Sequence, residues 1–381
     1  MAIETRKAAE VFPPGEFLRE ELEARGWTQA DLAEILDRPP RLVNEIIAAK
    51  RGITPETARG LAAAFGTSPE LWMNLESAYQ LWREHSEDST AVSRRARLFS
   101  IAPIKEMQRR RWLEPVRDIT ALERQICEFL RMGDLDDEPV FAHAARKAAN
   151  YADPLTAAQT AWIARAYQLA PAAPISGAYS REKLKAALAR LKTLLAAREE
   201  IRRVPEVLAK AGIRFLVIQP LQRTKIDGAC FWVNDQPAIA LSLRYDRIDN
   251  FWFVLLHELS HIGNADAIYL DMDLTTANVD DEQRPPYERK ADSFASEYLV
   301  PKNNIEEFIA RVRPFYSTEK ILAFAQAQRV HPALIIGQLQ HRGEITWSSF
   351  KKYMEPIREI LVPNVLTDGW GVIPATQPFT S

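Results

Sequence analysis

The stretch Phe251-Trp252-Phe253-Val254-Leu255-Leu256-His257-Glu258-Leu259-Ser260-His261-Ile262 sets two histidines and a glutamate inside a run of large apolar side chains. On a helix, positions four apart share a face, so His257 and His261 can offer imidazole nitrogens to one ion. Glu258 lies beside that pair, where it can take a proton from a bound water. Ionisable groups are costly in an apolar interior unless they are paired or hold a metal. With six histidines in the whole chain, this spacing is far from what chance placement provides. The plainer alternative is a buried helix whose histidines merely find hydrogen-bond partners. The pattern favours a divalent metal site, with zinc (Zn2+) the expected ion. Asp249 is placed to cap the helix.

The length of 381 residues suffices for two or three domains, and the formal charge of −2 excludes a general affinity for nucleic acid or membrane surfaces. Charged function must then come from local patches. Cys127 and Cys230 are far apart and suggest no disulfide framework. The N-terminus has no apolar signal core, and no uncharged run approaches membrane-spanning length, so a cytoplasmic protein without membrane contact is expected.

From Pro14 to about Trp82 the chain reads as five short helices with clear punctuation. Phe17, Leu18 and Leu22 share one face of the first, which Gly26 stops, and Thr28 caps a second ending near Leu36. Pro40 opens a third running to about Ala49, with Ile46 and Ile47 inward and Arg41, Asn44 and Glu45 outward. Two short helices joined by a tight turn, the second exposing Arg and Asn, form a helix-turn-helix pattern. Arg41 and Asn44 could reach base edges, and Gln29, Lys50 and Arg51 could hold phosphates. The alternative is a small helical docking or dimerisation domain.

Residues 83 to 93 read as a polar linker. Arg94-Arg95-Ala96-Arg97 and Arg109-Arg110-Arg111 are basic clusters in a helical stretch, read as solvated faces in preference to DNA contacts. Helical patterning continues through Leu122–Phe129, Ala157–Leu169 and a helix capped by Ser180 that ends near Arg203. His143 is isolated and carries no expected role.

From Val204 the period changes. Ile213 to Ile218 reads as a strand, and Gly228–Val233 with Ala238–Leu243 as a hairpin around Asn234-Asp235-Gln236. A strand before the histidine-bearing helix could hold an extended peptide along an exposed edge, unless Ala238–Leu243 is interior. A catalytic zinc wants three protein ligands and one open position. Ala267 stands where one zinc-peptidase class would place a third histidine. On the helix Tyr287–Val300, Glu288 is the candidate third ligand, and Asp292, one turn on, could orient a ligand histidine. The competing assignment makes Asp292 the ligand and Glu288 a surface charge. The acidic segment from Asn264 to Pro286 is read as a solvated loop, with a lid as the alternative. His331 is expected to cap a helix, with an aid in the cleft as the alternative; His341 has no argued role, and the chain ends in one helix and an extended tail.

The runs Pro14-Gly15-Glu16-Phe17-Leu18, Trp27 to Ala33, Asn44-Glu45-Ile46-Ile47, Gly52 to Ala58 and Phe65 to Trp72 resemble the HigA-type antitoxin branch of Cro-like repressors. Pro39-Pro40 departs from that family, which usually enters its recognition helix on small polar residues. The resemblance implies operator DNA as a partner and a homodimer as the working state. Lys225-Ile226-Asp227-Gly228-Ala229, Ala240 to Tyr245, His257-Glu258-Leu259-Ser260-His261, Glu288 to Ala295, Leu299-Val300-Pro301 and His331 to Leu339 resemble the ImmA/IrrE metallopeptidase family. That resemblance implies zinc held by His257, His261 and Glu288, with cleavage of a regulatory protein such as a repressor or antitoxin.

The expectation is a multidomain, mainly α chain with an α+β C-terminal domain. Residues 1–82 are the helix-turn-helix DNA-binding domain and 83–203 a helical middle region. Residues 204–345 are a zincin-like metallopeptidase domain with a small β-sheet, and 346–381 a C-terminal helix and tail. Glu258 is the catalytic base, with an autorepressing antitoxin whose metal is structural or sensory as the alternative function.

Overall fold

The computed structural model describes residues 11–83, 88–137, 139, 155–264, 269–272 and 285–374. It divides into two compact units, Met1–Ser93 and Arg94–Ser381. His143 and most of the acidic segment after Asn264 lie outside the described residues.

The first unit holds α1 (Pro14–Arg25), α2 (Gln29–Ile35), α3 (Pro40–Ile47), α4 (Pro55–Phe65) and α5 (Pro69–Arg83). Each boundary has a local cause. Gly26 ends α1 in the left-handed region at φ 68°, donating its N–H to the carbonyls of Leu22 and Glu23. Thr28 and Asp31 form a reciprocal capping box: Asp31 N donates to Thr28 Oγ1 at 3.1 Å, and Thr28 N donates to the Asp31 carboxylate at 2.7 Å. Prolines occupy the first turns of α3 and α4, where no helical N–H is lost. The inward faces meet in one core of Leu18, Leu22, Leu32, Val43, Ile46, Leu61, Phe65 and Trp72. Each large apolar side chain buried there contributes roughly 1.5–3 kcal/mol.

α6 (Asp88–Ile101) begins inside the stretch expected as a linker and carries the boundary between the units. Its Leu98 is fully buried, which gives a largely polar helix an anchor the local pattern did not advertise. The second unit continues with α7 (Ile104–Arg109), α8 (Ile119–Leu130), α9 (Ala157–Leu169), α10 (Arg181–Lys192) and α11 (Val204–Lys210). Then come β1 (Arg214–Ile218), β2 (Ile226–Val233), β3 (Gln236–Leu241), α12 (Ile248–Asn264), β4 (Tyr269–Met272) and α13 (Pro286–Leu299). The remainder is α14 (Lys302–Val312), α15 (Thr318–Gln328), α16 (Pro332–His341), α17 (Arg358–Leu361) and β5 (Leu366–Asp368). The capping helix from Ser180 stops at Lys192, and a separate 3-10 segment covers Arg198–Arg203.

The sheet order is β4-β2-β3-β1-β5. β1 runs parallel to β3 and β5, and β2 runs antiparallel to β3 and β4. β2 and β3 join through Asn234 and Asp235, both at positive φ (51° and 59°), as a two-residue hairpin of this twist requires. β3 is interior, paired on both sides, so the idea that it offers a free edge to a peptide fails. The outermost strands are β4 and β5.

Helices cover both faces. Phe215, Val217, Ile239 and Leu241 point into a core shared with α12 and α16, while Leu216, Ile218, Ala238 and Ala240 point into one shared with α8 and α9. Burial on both faces explains why these strands read as continuous apolar runs. α9 is buried nearly all round, with Trp162 fully enclosed. Its Arg165 pairs with Asp368 of β5 at 2.5 Å, both side chains at most 5% exposed, and Trp112 Nε1 donates to the same carboxylate at 3.0 Å. In the C-terminal segment the described residues hold a 3-10 turn at Val362–Asn364, and Leu366–Asp368 completes the sheet.

Candidate metal centre and nucleic-acid interface

α12 starts two residues earlier than a cap at Asp249 would place it. Ile248 N–H donates to the Glu355 carbonyl at 3.1 Å, so no side-chain cap is needed there. Asp249 sits in the first turn, where its carboxylate accepts from Arg247 at 3.0 and 2.6 Å. Further along, His257, Glu258 and His261 are all fully buried. α13 lies against this helix on Ala291 and Ala295, both at 0% exposure, and their small size permits the close approach.

That packing brings Glu288 to the histidine pair. His257 Nε2 stands 3.0 Å from His261 Nε2 and 3.1 Å from Glu288 Oε2, and His261 Nε2 stands 3.7 Å from Glu288 Oε1. Four-coordinate zinc with ligands at about 2.0–2.1 Å needs neighbouring donors about 3.3 Å apart, so the spacing fits such an ion. Asp292 approaches the other nitrogen of the same ring, Nδ1, at 2.9 Å. A carboxylate only accepts, so Nδ1 carries the proton and the Nε2 lone pair of His257 is turned toward His261 and Glu288. Two buried imidazole nitrogens and a carboxylate converging on one point form a donor set suited to a cation. Of the two assignments open on sequence, Glu288 reaches the Nε2 side and Asp292 the Nδ1 side.

Glu258 faces the sheet. A Cβ built on Gly228 of β2 would stand 2.2 Å from Glu258 Oε1 and 2.9 Å from Val254 Cγ1. Only glycine leaves the carboxylate its seat. The sequence signal was available as a glycine inside a strand, which often marks a close approach. The pairing of β2 with β4 also shifts register between Ile226 and Gly228. Rings continue outward from the histidines. Phe253 lies 6.3 Å from His257 and 6.2 Å from His341, and Trp347 lies 5.1 Å from His341. His331 stands at the start of α16, its Nδ1 accepting from Ala333 N at 3.2 Å and its Nε2 3.2 Å from Glu355. It caps that helix. Burial holds its pKa below the ordinary value, against an opposing pull from Glu355.

In the first unit, Gln29, Arg41, Asn44, Lys50 and Arg51 are all exposed. Arg41 and Asn44 lie on α3, Gln29 begins α2, and Lys50 and Arg51 follow α3. Glu45 interrupts the positive surface, lying 2.7 Å from Arg41 and 3.4 Å from Arg51. The hydrogen bond from Arg41 holds the Glu45 carboxyl below its usual range. Several members of the basic clusters of the second unit pair within it while others, such as Arg109, stay largely exposed. Arg94 pairs with Glu123 and Arg97 with Asp136, while Arg110 donates to the carbonyls of Gln219 and Pro220.

Comparison with known proteins matches both ends of this arrangement. Residues 18–72 match the helix-turn-helix family model, and residues 209–331 match the IrrE N-terminal-like domain. An uncharacterised helix-turn-helix-type transcriptional regulator, YddM of Escherichia coli K12, is 31% identical over 85 residues, which cover 22% of this chain and 88% of that protein. The chain belongs to the helix-turn-helix regulator family. Virulence-associated protein I of Dichelobacter nodosus is 44% identical over 69 residues, covering 18% of this chain and 64% of that protein, just under two thirds. A HigA-family addiction-module antidote protein of Coxiella burnetii is 36% identical over 22% of this chain and 90% of its own, with TM-score 0.21. The helix-turn-helix unit is therefore joined to an IrrE-like domain in one chain, and that domain contains the His257–His261–Glu288 cluster. No helix among the described residues is long and apolar enough to cross a membrane.

Proposed function

We propose that this chain is a cytoplasmic DNA-binding regulator whose second unit is a zinc-dependent endopeptidase acting on a regulatory protein, a repressor or an antitoxin-like partner. The observation that carries the reading is the convergence of His257 Nε2, His261 Nε2 and Glu288 within 4.8 Å, with Glu258 next in sequence to the first ligand. Zinc, when bound, lowers the pKa of its water toward neutrality and polarises the carbonyl to be cleaved. Glu258 is the general base: its carboxylate accepts a proton from the attacking water and returns it to the departing amine. Asp292 holds the His257 ring and its tautomer, and Gly228 leaves the Glu258 carboxylate room beside the sheet.

The first unit supplies the address. Arg41 and Asn44 on α3 read base edges, and Gln29, Lys50 and Arg51 grip phosphates, on an operator bound by a homodimer. Support comes from the exposure of all five side chains and from the helix-turn-helix match. A solved relative, the HigA antitoxin of Pseudomonas aeruginosa with its promoter, is 34% identical over 22% of this chain and 91% of its own, with TM-score 0.21.

A second reading is favoured by the complete burial of both histidines: the metal is structural or sensory, in an autorepressing antitoxin. Glu258→Gln separates the two. The variant should keep stoichiometric zinc by elemental analysis and lose roughly 10²–10⁴-fold in cleavage of a co-expressed regulator. Undiminished cleavage by the variant would refute the mechanism, and a wild-type protein that binds zinc and operator but generates no new protein termini in cells supports the second reading.

A further inference from the structure

A second concentration of charge is built from residues that take no part in the His257–His261–Glu288 cluster. A cavity of about 370 Å³ opens in the second unit between the end of α7, the loop joining β1 to β2, and the turn after β3. Five cations line it, Arg109, Arg110, Arg223, Lys225 and Arg244, and among the lining residues Glu106 is the one carboxylate. Like charges gathered around a concave, partly desolvated space repel one another and raise the local positive potential.

Two of the five form fixed walls. Arg110 donates to Glu106 at 2.9 Å and to the carbonyls of Gln219 and Pro220 at 2.6 and 2.7 Å. Arg244 meets the buried Asp227 carboxylate two-pronged, at 3.1 and 3.2 Å. The loop presents two more. Arg223 and Lys225 both adopt left-handed backbone, at φ 63° and 56°, a conformation that favours glycine. Thr224 between them is buried and tied down: its hydroxyl donates to the Leu221 carbonyl at 2.9 Å, and its carbonyl accepts from Gln159 Nε2 at 2.9 Å. The loop is thereby pinned at its centre, with long cationic side chains on either side at positions where glycine would be unstrained. Thr224 thus fixes the backbone from which Arg223 and Lys225 line the cavity.

We propose that this cavity binds the phosphate group of a small phosphorylated molecule, with Arg109, Arg223 and Lys225 as the recognising side chains. A carboxylate presents two coplanar oxygens and is satisfied by one guanidinium fork, as Asp227 is by Arg244. Cations arriving from α7 on one side and the β1–β2 loop on another suit a tetrahedral anion with acceptors on several faces. The volume lies at the lower end of the range for small-molecule pockets, which favours a compact ligand over a nucleic-acid strand.

The test is calorimetric titration of the full-length, metal-loaded protein at constant ionic strength; phosphate held by the metal would bind equally in the cavity variants, which keep the metal ligands. The probes are inorganic phosphate, pyrophosphate, adenosine monophosphate, succinate and a short single-stranded oligonucleotide. Saturable binding of at least one small phosphate probe is expected, weakened by about tenfold or more in Arg223→Ala/Lys225→Ala and in Arg109→Ala. Arg109 is 67% exposed on a helix, so its variant keeps the question answerable should the loop variant fail to fold. The proposal is overturned by no saturable binding of any small phosphate, by equal binding in folded variants, by succinate binding as tightly as pyrophosphate, or by binding of the oligonucleotide alone. None of these results bears on the peptidase reading, which depends on other residues.

Discussion

α3 and α12 are both helices on which function is proposed, and they are built in opposite ways. On α3 the apolar residues Val43, Ile46 and Ile47 face inward, and the candidate contacts Arg41 and Asn44 stand in solvent. On α12 the apolar residues surround the candidate chemistry, with His257, Glu258 and His261 at 0% exposure. A polar residue on a surface costs nothing to keep and so says little about purpose. A buried ionisable group must be compensated, and the compensating partners can be sought. The buried site therefore declares itself through its partners, and the exposed one only through what it resembles.

Metal removal should break the symmetry between the two units most strongly. A metal at about a thousand times its Kd stabilises the unit that binds it by roughly 4 kcal/mol. Chelation should therefore lower the unfolding transition of the second unit by that order and leave the transition of the first unit in place. Calorimetry on the full chain with and without chelator reads both. A shift shared equally by the two transitions, or none, removes the metal from the core of the second unit.

Gly228→Ala sharpens the same contrast at one atom. The added methyl meets Glu258 Oε1, so a displaced carboxylate or strand should cost roughly 1–3 kcal/mol. Cleavage should fall further than the stability loss alone explains, because Glu258 is moved. On the exposed helix, Arg41→Ala and Asn44→Ala should each change stability by no more than about 0.5 kcal/mol. Each should weaken operator binding by about 1 kcal/mol, at the low end for a base contact in the case of Arg41, since Glu45 already holds its guanidinium. Gel-shift titration at fixed salt measures this, and unaltered affinity would strip both residues of a reading role.

The buried cluster was half legible. His257, Glu258 and His261 stand out because their spacing and apolar surroundings occur together in one short stretch. Glu288 and Asp292 lie one turn apart on the same helix face, so local periodicity leaves their roles exchangeable. The azimuth at which α13 packs on α12, set by Ala291 and Ala295, assigns one carboxylate to Nε2 and the other to Nδ1. Sheet order was illegible for a related reason. β3 has the same apolar pattern whether it is an edge or interior, and β5 is three residues long, too short for any period to show. The Arg165–Asp368 pair joins positions 203 residues apart and leaves no local trace. Long-range pairing decides all of these, and a single sequence does not contain it as pattern.

The smallest expected effect concerns His331, a titratable residue that both caps and is buried. Its folded pKa lies below the ordinary 6.5 because burial disfavours the charged ring more than Glu355 favours it. The unfolded chain then binds the proton more readily than the folded one. Stability should fall as pH drops below that ordinary value, and level off once pH passes beneath the folded value. His331→Asn keeps an acceptor for the Ala333 amide without titrating, whereas His331→Ala removes the cap at a cost of about 1 kcal/mol. Denaturant unfolding of the second unit, with chelator present to silence the metal ligands, should show a shallower acid loss in the Asn variant than in the wild type. Parallel loss in both would mean that the acid sensitivity of this unit arises elsewhere, and that His331 acts through its cap alone.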